Sequence, residues 1–430
     1  MTRPTGITQR GKTTVSLPAA GVPFYTPAQT PPPGTATQST TFDGKPIPTL
    51  FTPHKIRGVE FSNRLVVSPM CMYSADDGHL TDFHLVHLGQ FALNGAALTI
   101  VEATAVLPNG RISSEDSGLW QDSQIAPLKR IADFVHSQGN KIGIQLGHAG
   151  RKASTLAPWH EAQRGEKLFA LESEGGWPDN TWAPSAIAYA PDWLQPHAVT
   201  LDDIQEIKAS FAAAAKRAVA AGVDVVEIHA AHGYLLTQFL SPTTNKRTDQ
   251  YGGSFENRIR LVLEIVQEVR AVLPDSMPLF LRVSATEWLE TVTDEPSWTV
   301  EDTVKLADQL PALGVDLLDV SSGGNSRDQS IQLHPTYQTD LVAAIKKGLR
   351  AQGSKAADAL QFGALGFIRD AELARDAAQK GGNVEADLVL VARQFLKEPE
   401  FVRRVAHKLG VPISWPTQYG RALWKPDARI

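Results

Sequence analysis

Residues 224–233 read DVVEIHAAHG. Val225, Val226 and Ile228 form a short β-branched run that breaks off into two histidines and a glycine. Leu201–Ala221 before it and Phe255–Val272 after it carry apolar residues at helical spacing. A short apolar strand between two amphipathic helices belongs in a parallel sheet covered by helices.

The same alternation runs along the chain. Comparable runs stand at residues 64–70 (RLVVSPM), 97–106 (ALTIVEATAV), 141–150 (KIGIQLGHAG) and 278–285 (PLFLRVSA). They continue at 316–324 (DLLDVSSGG), 359–368 (ALQFGALGFI) and 387–396 (DLVLVARQFL), with further amphipathic segments at 299–313 and 337–349. Eight strand–helix units predict an α/β protein of the (β/α)8 TIM-barrel class. A doubly wound open sheet is the alternative, but it wants a GxGxxG turn after its first strand, and none stands there. The 430 residues fit one such barrel spanning 48–430, preceded by an extended arm at 1–47.

The arm holds Pro4, Pro18, Pro23, Pro27 and the run Pro31-Pro32-Pro33, and its first acidic residue is Asp43. That composition gives a segment without a core of its own. Arg3, Arg10 and Lys12 without acids also fit an organellar transit peptide, although the prolines work against an amphipathic helix. A net charge of −5 offers no basic field for nucleic acid or anionic lipid, and no apolar run is long enough to span a bilayer. The single cysteine, Cys71, rules out an intramolecular disulfide, a four-cysteine zinc site and a four-cysteine iron–sulfur cluster, and points to the cytoplasm.

A barrel presents its chemistry at the C-terminal ends of its strands. Ser68-Pro69-Met70-Cys71 end the first run, Gln145 and His148 the third, and His229, His232 and Tyr234 follow the fourth. Arg282 lies near the end of the fifth, Ser321-Ser322-Gly323-Gly324 end the sixth, Gly363 and Gly366 mark the seventh, and Arg393 the eighth. Two imidazoles on one turn can donate to a single oxygen, and a tyrosine, with a pKa near ~10, can act as general acid. The alternative for His229 and His232 is a structural pair, or a metal site with Glu227 and with His148 or Glu102. Gln145 offers donor and acceptor to the pyrimidine edge of a flavin, or is a satisfied buried amide. Arg282 can hold charge beside a reduced flavin, or serve as an ion pair across the barrel. Gly363-Ala-Leu-Gly366 and Arg393 stand where this fold binds phosphate.

SPMCMY, VEATAV, IGIQLGHAGRK, APSAI, EIHAAHGYLLTQFLSPTTNKRTDQYGGSFENR and LRVSA follow one another in order. Over residues 48–424 the chain resembles the old yellow enzyme family of FMN-containing ene-reductases, and its bacterial, thermophilic-like subgroup most closely. The resemblance implies reduction of the C=C bond of α,β-unsaturated carbonyl or nitro compounds, with NADPH or NADH as donor. It implies hydride transfer from flavin N5 and protonation by Tyr234, with His229 and His232 on the substrate oxygen. Ser68, Pro69, Met70, Cys71, Ala103, Gln145, Arg282 and Gly323 would hold the flavin, and Gly366, Ala392 and Arg393 its phosphate. Tyr73 would line the substrate pocket. Arg421, in Gln418-Tyr419-Gly-Arg421, would complete a neighbouring protomer's site and so imply a homodimer. No metal is implied. Larger relatives of this barrel carry an iron–sulfur cluster, which one cysteine cannot ligate.

Three features depart from the family. Ala392 stands before Arg393 where glycine is usual, which questions a positive φ there. The stretch between His148 and Leu201 is long and carries Trp159, Trp177, Trp182 and Trp193. The proline-rich arm is an addition.

Overall fold

The structure, a computed structural model, describes residues 16–160 and 169–424. The readings made on Pro4, Arg3, Arg10 and Lys12 lie outside the described residues. Eight strands close a barrel: β1 (Leu65–Val67), β2 (Leu98–Ala105), β3 (Lys141–Gly147), β4 (Val225–Ala230), β5 (Leu279–Ser284), β6 (Leu317–Ser321), β7 (Gln361–Ala364) and β8 (Leu388–Val391). Each strand is parallel to both neighbours, and β8 closes on β1. The open-sheet alternative is thereby excluded.

Around the barrel run α1 (Asp82–Leu93), α2 (Ile125–Ser137), α3 (Leu201–Ala221), α4 (Phe255–Val272), α5 (Val300–Gln309), α6 (Thr339–Ala351), α7 (Ala371–Ala378) and α8 (Phe401–Lys408). Their ends are written in the sequence. The Thr200 hydroxyl accepts from Asp203 N at the start of α3, and Gly222 ends it at φ +85° in the left-handed region. Ser254 caps α4 in the same manner.

Strands β4 and β5 are buried along their whole length, which is why they read as unbroken apolar runs. One core layer fills the lower barrel interior with Val66, Leu98, Val225, Phe280, Leu317 and Leu388. A hairpin (His54–Ile56 with Val59–Phe61) inserts Ile56 and Phe61 into that layer and plugs the N-terminal end. The candidate residues gather at the opposite, C-terminal rim.

The N-terminal arm runs alongside the C-terminal segment. Gly34 N donates to Ser414 O, Ser414 N to Thr35 O, Thr37 N to Pro412 O and Phe42 N to Gly410 O. Gln29 Oε1 accepts from Thr417 N at 3.0 Å, and Gln29 Nε2 donates to Gln418 Oε1 at 3.0 Å. Gln418 Nε2 in turn donates to Thr26 Oγ1 at 3.2 Å. Among the described residues, no helix is long and apolar enough to cross a membrane.

Candidate active site

Two openings lie at the rim. The larger, a cavity of about 410 Å³, sits over β7 and β8 and is lined by Ser68, Arg282, Gly366, Arg369, Ala392 and Arg393, among others. Four cations line it, with Lys397 the fourth, and no acidic side chain does so among the described residues. Gly366 stands at φ +102°, and a Cβ there would come within 2.4 Å of Gln338 Oε1. The backbone therefore bends into the cavity in a way only glycine permits. A cationic, glycine-lined cavity at this place in a barrel suits a phosphate.

Ala392 lies at φ −105°, so the positive φ questioned at this departure does not occur. Gly363 is different from its sequence reading. It lies inside β7, where a Cβ would meet Leu390 Cδ1 at 2.6 Å, so it serves packing of the barrel wall and not the phosphate loop.

The second opening is a tight cleft over β2, β3 and β4, lined by Ala103, His148, His229, Tyr234 and Asp116, among others. The rings of His229 and Tyr234 meet edge-on with centroids 5.2 Å apart, and those of His229 and His232 at 5.1 Å. His229 Nδ1 accepts from the Ala231 N–H at 3.3 Å, which puts the ring proton on Nε2. His232 Nε2 lies 2.7 Å from Ser321 Oγ. Gln338 Nε2 donates to the same Oγ at 3.4 Å, so the Ser321 hydroxyl proton is free to go to His232 Nε2. With Ser321 as the donor, His232 carries its proton on Nδ1.

Burial and the positive charge of Arg282 hold both imidazoles well below their ordinary pKa, so both are neutral. Burial pushes the Tyr234 phenol well above its ordinary value, helped by Cys71, Tyr73 and Asp116. Burial likewise raises the Cys71 thiol, with Asp116 and Glu102 adding to it. Those mutual effects place Cys71, Tyr73 and Tyr234 about one space. Tyr73 sits at φ +51° and meets the edge of Trp159 at 5.5 Å, while Trp182 stacks on His148 at 5.8 Å. The long tryptophan-bearing stretch thus packs against this end of the barrel.

Arg282 joins the larger cavity to the barrel interior. It lines the cavity, donates from Nη1 to Ser68 Oγ at 3.0 Å, and holds Nε 3.2 Å from Asp319 Oδ2. The ion-pair reading of this residue is met by Asp319, and the same guanidinium lines the cavity. Gln145 Nε2 donates to Glu227 Oε1 at 2.8 Å. Glu227 is therefore engaged, Glu102 accepts from Met72 N and faces His84, and His148 Nδ1 accepts from Gly150 N. Among the described residues, no group of three His, Cys, Asp or Glu side chains could hold a metal ion. The metal-site alternative finds no support in this geometry.

The sequence model of the NADH:flavin oxidoreductase / NADH oxidase family matches residues 49–411. The chain belongs to this family, the old yellow enzyme family. This old yellow enzyme family member is 50% identical over 411 residues to a NADH:flavin oxidoreductase of Gibberella zeae, covering 94% of each chain. It is 41% identical over 375 residues to a NADPH dehydrogenase of Halalkalibacterium halodurans, covering 87% of this chain and 98% of that one. Among solved structures it resembles morphinone reductase, with a TM-score of 0.65, 28% identity, and coverage of 86% and 91%. A complex of 2-naphthoyl-CoA reductase shares the fold at a TM-score of 0.70 and 23% identity, and the chain spans 53% of that longer protein. The protein is an oxidoreductase of this type, with FMN as its cofactor and NAD(P)H as its reductant.

The residues present fit FMN. Arg393, Arg369 and the Gly366 backbone match a phosphate, and Arg282 brings charge to the inner end of the same cavity. Sequence reasoning assigned nothing to Ser321, Gln338, Arg369 or Lys152. Lys152 Nζ donates to His232 O at 2.8 Å and Gly324 O at 2.9 Å, and lies 5.0 Å from the Tyr234 ring centroid. It ties the histidine turn to the loop after β6. Burial, with Arg151 beside it, pulls its pKa down to about 7. Its signal was available, since it closes the GHAGRK motif.

Proposed function

We propose that this protein is an ene-reductase, which uses bound FMN and NADPH or NADH to saturate the C=C bond of α,β-unsaturated carbonyl or nitro compounds. The observation that carries this reading is the pairing at the end of β4. His229 offers an N–H donor and Tyr234 a phenol to one cleft, with their rings 5.2 Å apart. When bound, FMN supplies hydride transfer between the nicotinamide and the alkene.

The chain's own residues do the rest. His229 Nε2–H and His232 Nδ1–H bind the activating oxygen and stabilise the negative charge that grows on it. Because both rings are neutral and buried, they donate without giving up a proton. Tyr234 delivers the proton to Cα, and its raised pKa keeps it loaded across the neutral range. Ser68, Pro69, Met70, Cys71, Ala103, Gln145, Arg282 and Gly323 position the flavin. Gly366, Ala392 and Arg393 hold its phosphate, and Tyr73 lines the substrate side. The bacterial relatives are NADPH dehydrogenases, which favours NADPH as donor.

Arg421 lies in an exposed turn, Thr417–Ala422, and in this reading reaches the site of a second protomer in a cytoplasmic homodimer. The arm at 1–47 and the barrel at 48–430 are the two parts of each protomer. The test is Tyr234→Phe followed by rapid mixing. The variant is expected to be reduced by NADPH at the wild-type rate and to reoxidise with cyclohexenone at least ~100-fold more slowly. Reoxidation at the wild-type rate removes Tyr234 from the acid role.

A further inference from the structure

Glu227 on β4 and Asp319 on β6 lie on either side of β5, beside its alternate residues Phe280 and Arg282, and neither has exposed surface. Each carboxyl acts on the protonation of the other. Strand register places Arg282 of β5 beside Asp319 on one side and His229 on the other. Glu227 Oε1 accepts from Gln145, but no donor reaches Glu227 Oε2 or either oxygen of Asp319 with hydrogen-bond geometry. Arg282 Nε is close to Asp319 Oδ2 at 3.2 Å yet lies off the axis of a hydrogen bond. Two carboxylate oxygens cannot bond to each other unless a proton lies between them. The three orphaned oxygens mark where that proton belongs.

The charges agree. Two carboxyls and one guanidinium are neutral only with one proton, and an unbalanced buried charge costs several kcal/mol, on the order of a lost ion-pair partner. The other groups packed around the pair do not change this balance. Gln145 of β3 is uncharged, His229 is neutral, and β7 presents Gly363 against Asp319. Lys152 acts on the two histidines from the rim.

We propose that Glu227 and Asp319 share one proton and form a proton-coupling site, linked through Arg282 to the charge on the bound flavin. Arg282 is the connection, because it lines the cavity with Ser68 and holds Asp319 with its other face. Burial and the Asp319 charge push Glu227 up to about 8. Below that pH the pair keeps its proton in both redox states. Above it, the pair loses the proton to water while the flavin is oxidised. When negative charge builds against Arg282 on the arrival of a hydride, the guanidinium serves two anions and screens Asp319 less. The pair then takes one proton from water. An O–H bond forms on Glu227, and the two electrons and the proton of the hydride are unaffected.

The test is the two-electron reduction potential of the FMN holoenzyme against pH, from about 6.5 to 9.5, for the wild type, Glu227→Gln and Asp319→Asn. The wild-type plot is expected to steepen above about pH 8 by one proton per two electrons, about 30 mV per pH unit. Glu227→Gln, whose amide still donates to Asp319, is expected to lack the added slope. A wild-type plot without it, or a Glu227→Gln plot that keeps it, overturns the proposal. The wild type alone gives a second reading. Reduced-minus-oxidised infrared spectra at pH 9 are expected to show a gained protonated-carboxyl band, and its absence also overturns the proposal.

Discussion

Ser321 Oγ stands 2.7 Å from His232 Nε2 and receives the amide of Gln338 on its other side. In the relay Gln338 → Ser321 → His232, with the Ser321 hydroxyl as donor, the proton of His232 stands on Nδ1. That Nδ1–H is the donor which the proposed function assigns to the substrate oxygen. Ser321→Ala should let the ring take either tautomer. A net hydrogen bond of this kind contributes about 1 kcal/mol, so the KM for cyclohexenone should rise roughly 5-fold while NADPH reduction is unchanged. Unaltered KM would show that Ser321 does not set the tautomer.

The cationic end of the cavity gives a second expectation. Arg393→Gln should weaken FMN binding by roughly 10-fold or more and should leave riboflavin binding unchanged, because only the phosphate reads the guanidinium. Gly366→Ala should weaken both. Its positive φ and the contact with Gln338 force the loop to move, at a cost of about 1–2 kcal/mol. Equilibrium titration of the apoprotein with each flavin measures both effects. Equal loss of FMN and riboflavin in Arg393→Gln would place the phosphate elsewhere.

Cys71 carries a pH signature. Burial together with Asp116 and Glu102 raises its thiol pKa, so at pH 8 less thiolate is present than in a free thiol of pKa about 8.5. The alkylation rate with iodoacetamide should be well below that of glutathione at pH 8 and should still be climbing at about pH 9.5. A plateau below pH 8 would mean an activated thiolate and would contradict this reading of the residue.

The clasp of the arm on the C-terminal segment is a local device. Gln29→Ala removes the acceptor for Thr417 N and the donor to Gln418. It leaves a partly buried amide unpaired, at a cost of about 1–3 kcal/mol. Hydrogen exchange of the amides around 413–419 should accelerate at least ~10-fold, with exchange in β4 and β5 unchanged. Uniform acceleration across the barrel would mean that the arm supports the whole fold.

The barrel was legible because its strands are buried on both faces and so show as apolar runs without alternation. Helices α3 and α4 were legible to the residue, because Thr200, Gly222 and Ser254 mark their ends. The seventh run overshot. Residues 359–368 read as one segment, but only Gln361–Ala364 pair, and packing against Leu390 took Gly363 out of the phosphate loop. At the site, sequence named the side chains that stand on one strand end, such as His229, His232 and Tyr234. It named Ser321 only as the end of the sixth run and gave no role to Gln338 or Lys152, whose partners come from other strand–helix units. Asp319 read as one more strand residue, since nothing near it in sequence marks a buried acid. The arm pairs chiefly through backbone groups, which carry no side-chain signature.

The account rests on one protein carrying out two half-reactions at one flavin, and an anaerobic absorbance titration tests that directly. The FMN-loaded protein should bleach on addition of one equivalent of NADPH and regain its full yellow colour on addition of cyclohexenone. A protein that bleaches with NADPH but stays colourless with cyclohexenone, 2-cyclohexenone homologues and nitroalkenes alike would contradict the ene-reductase reading.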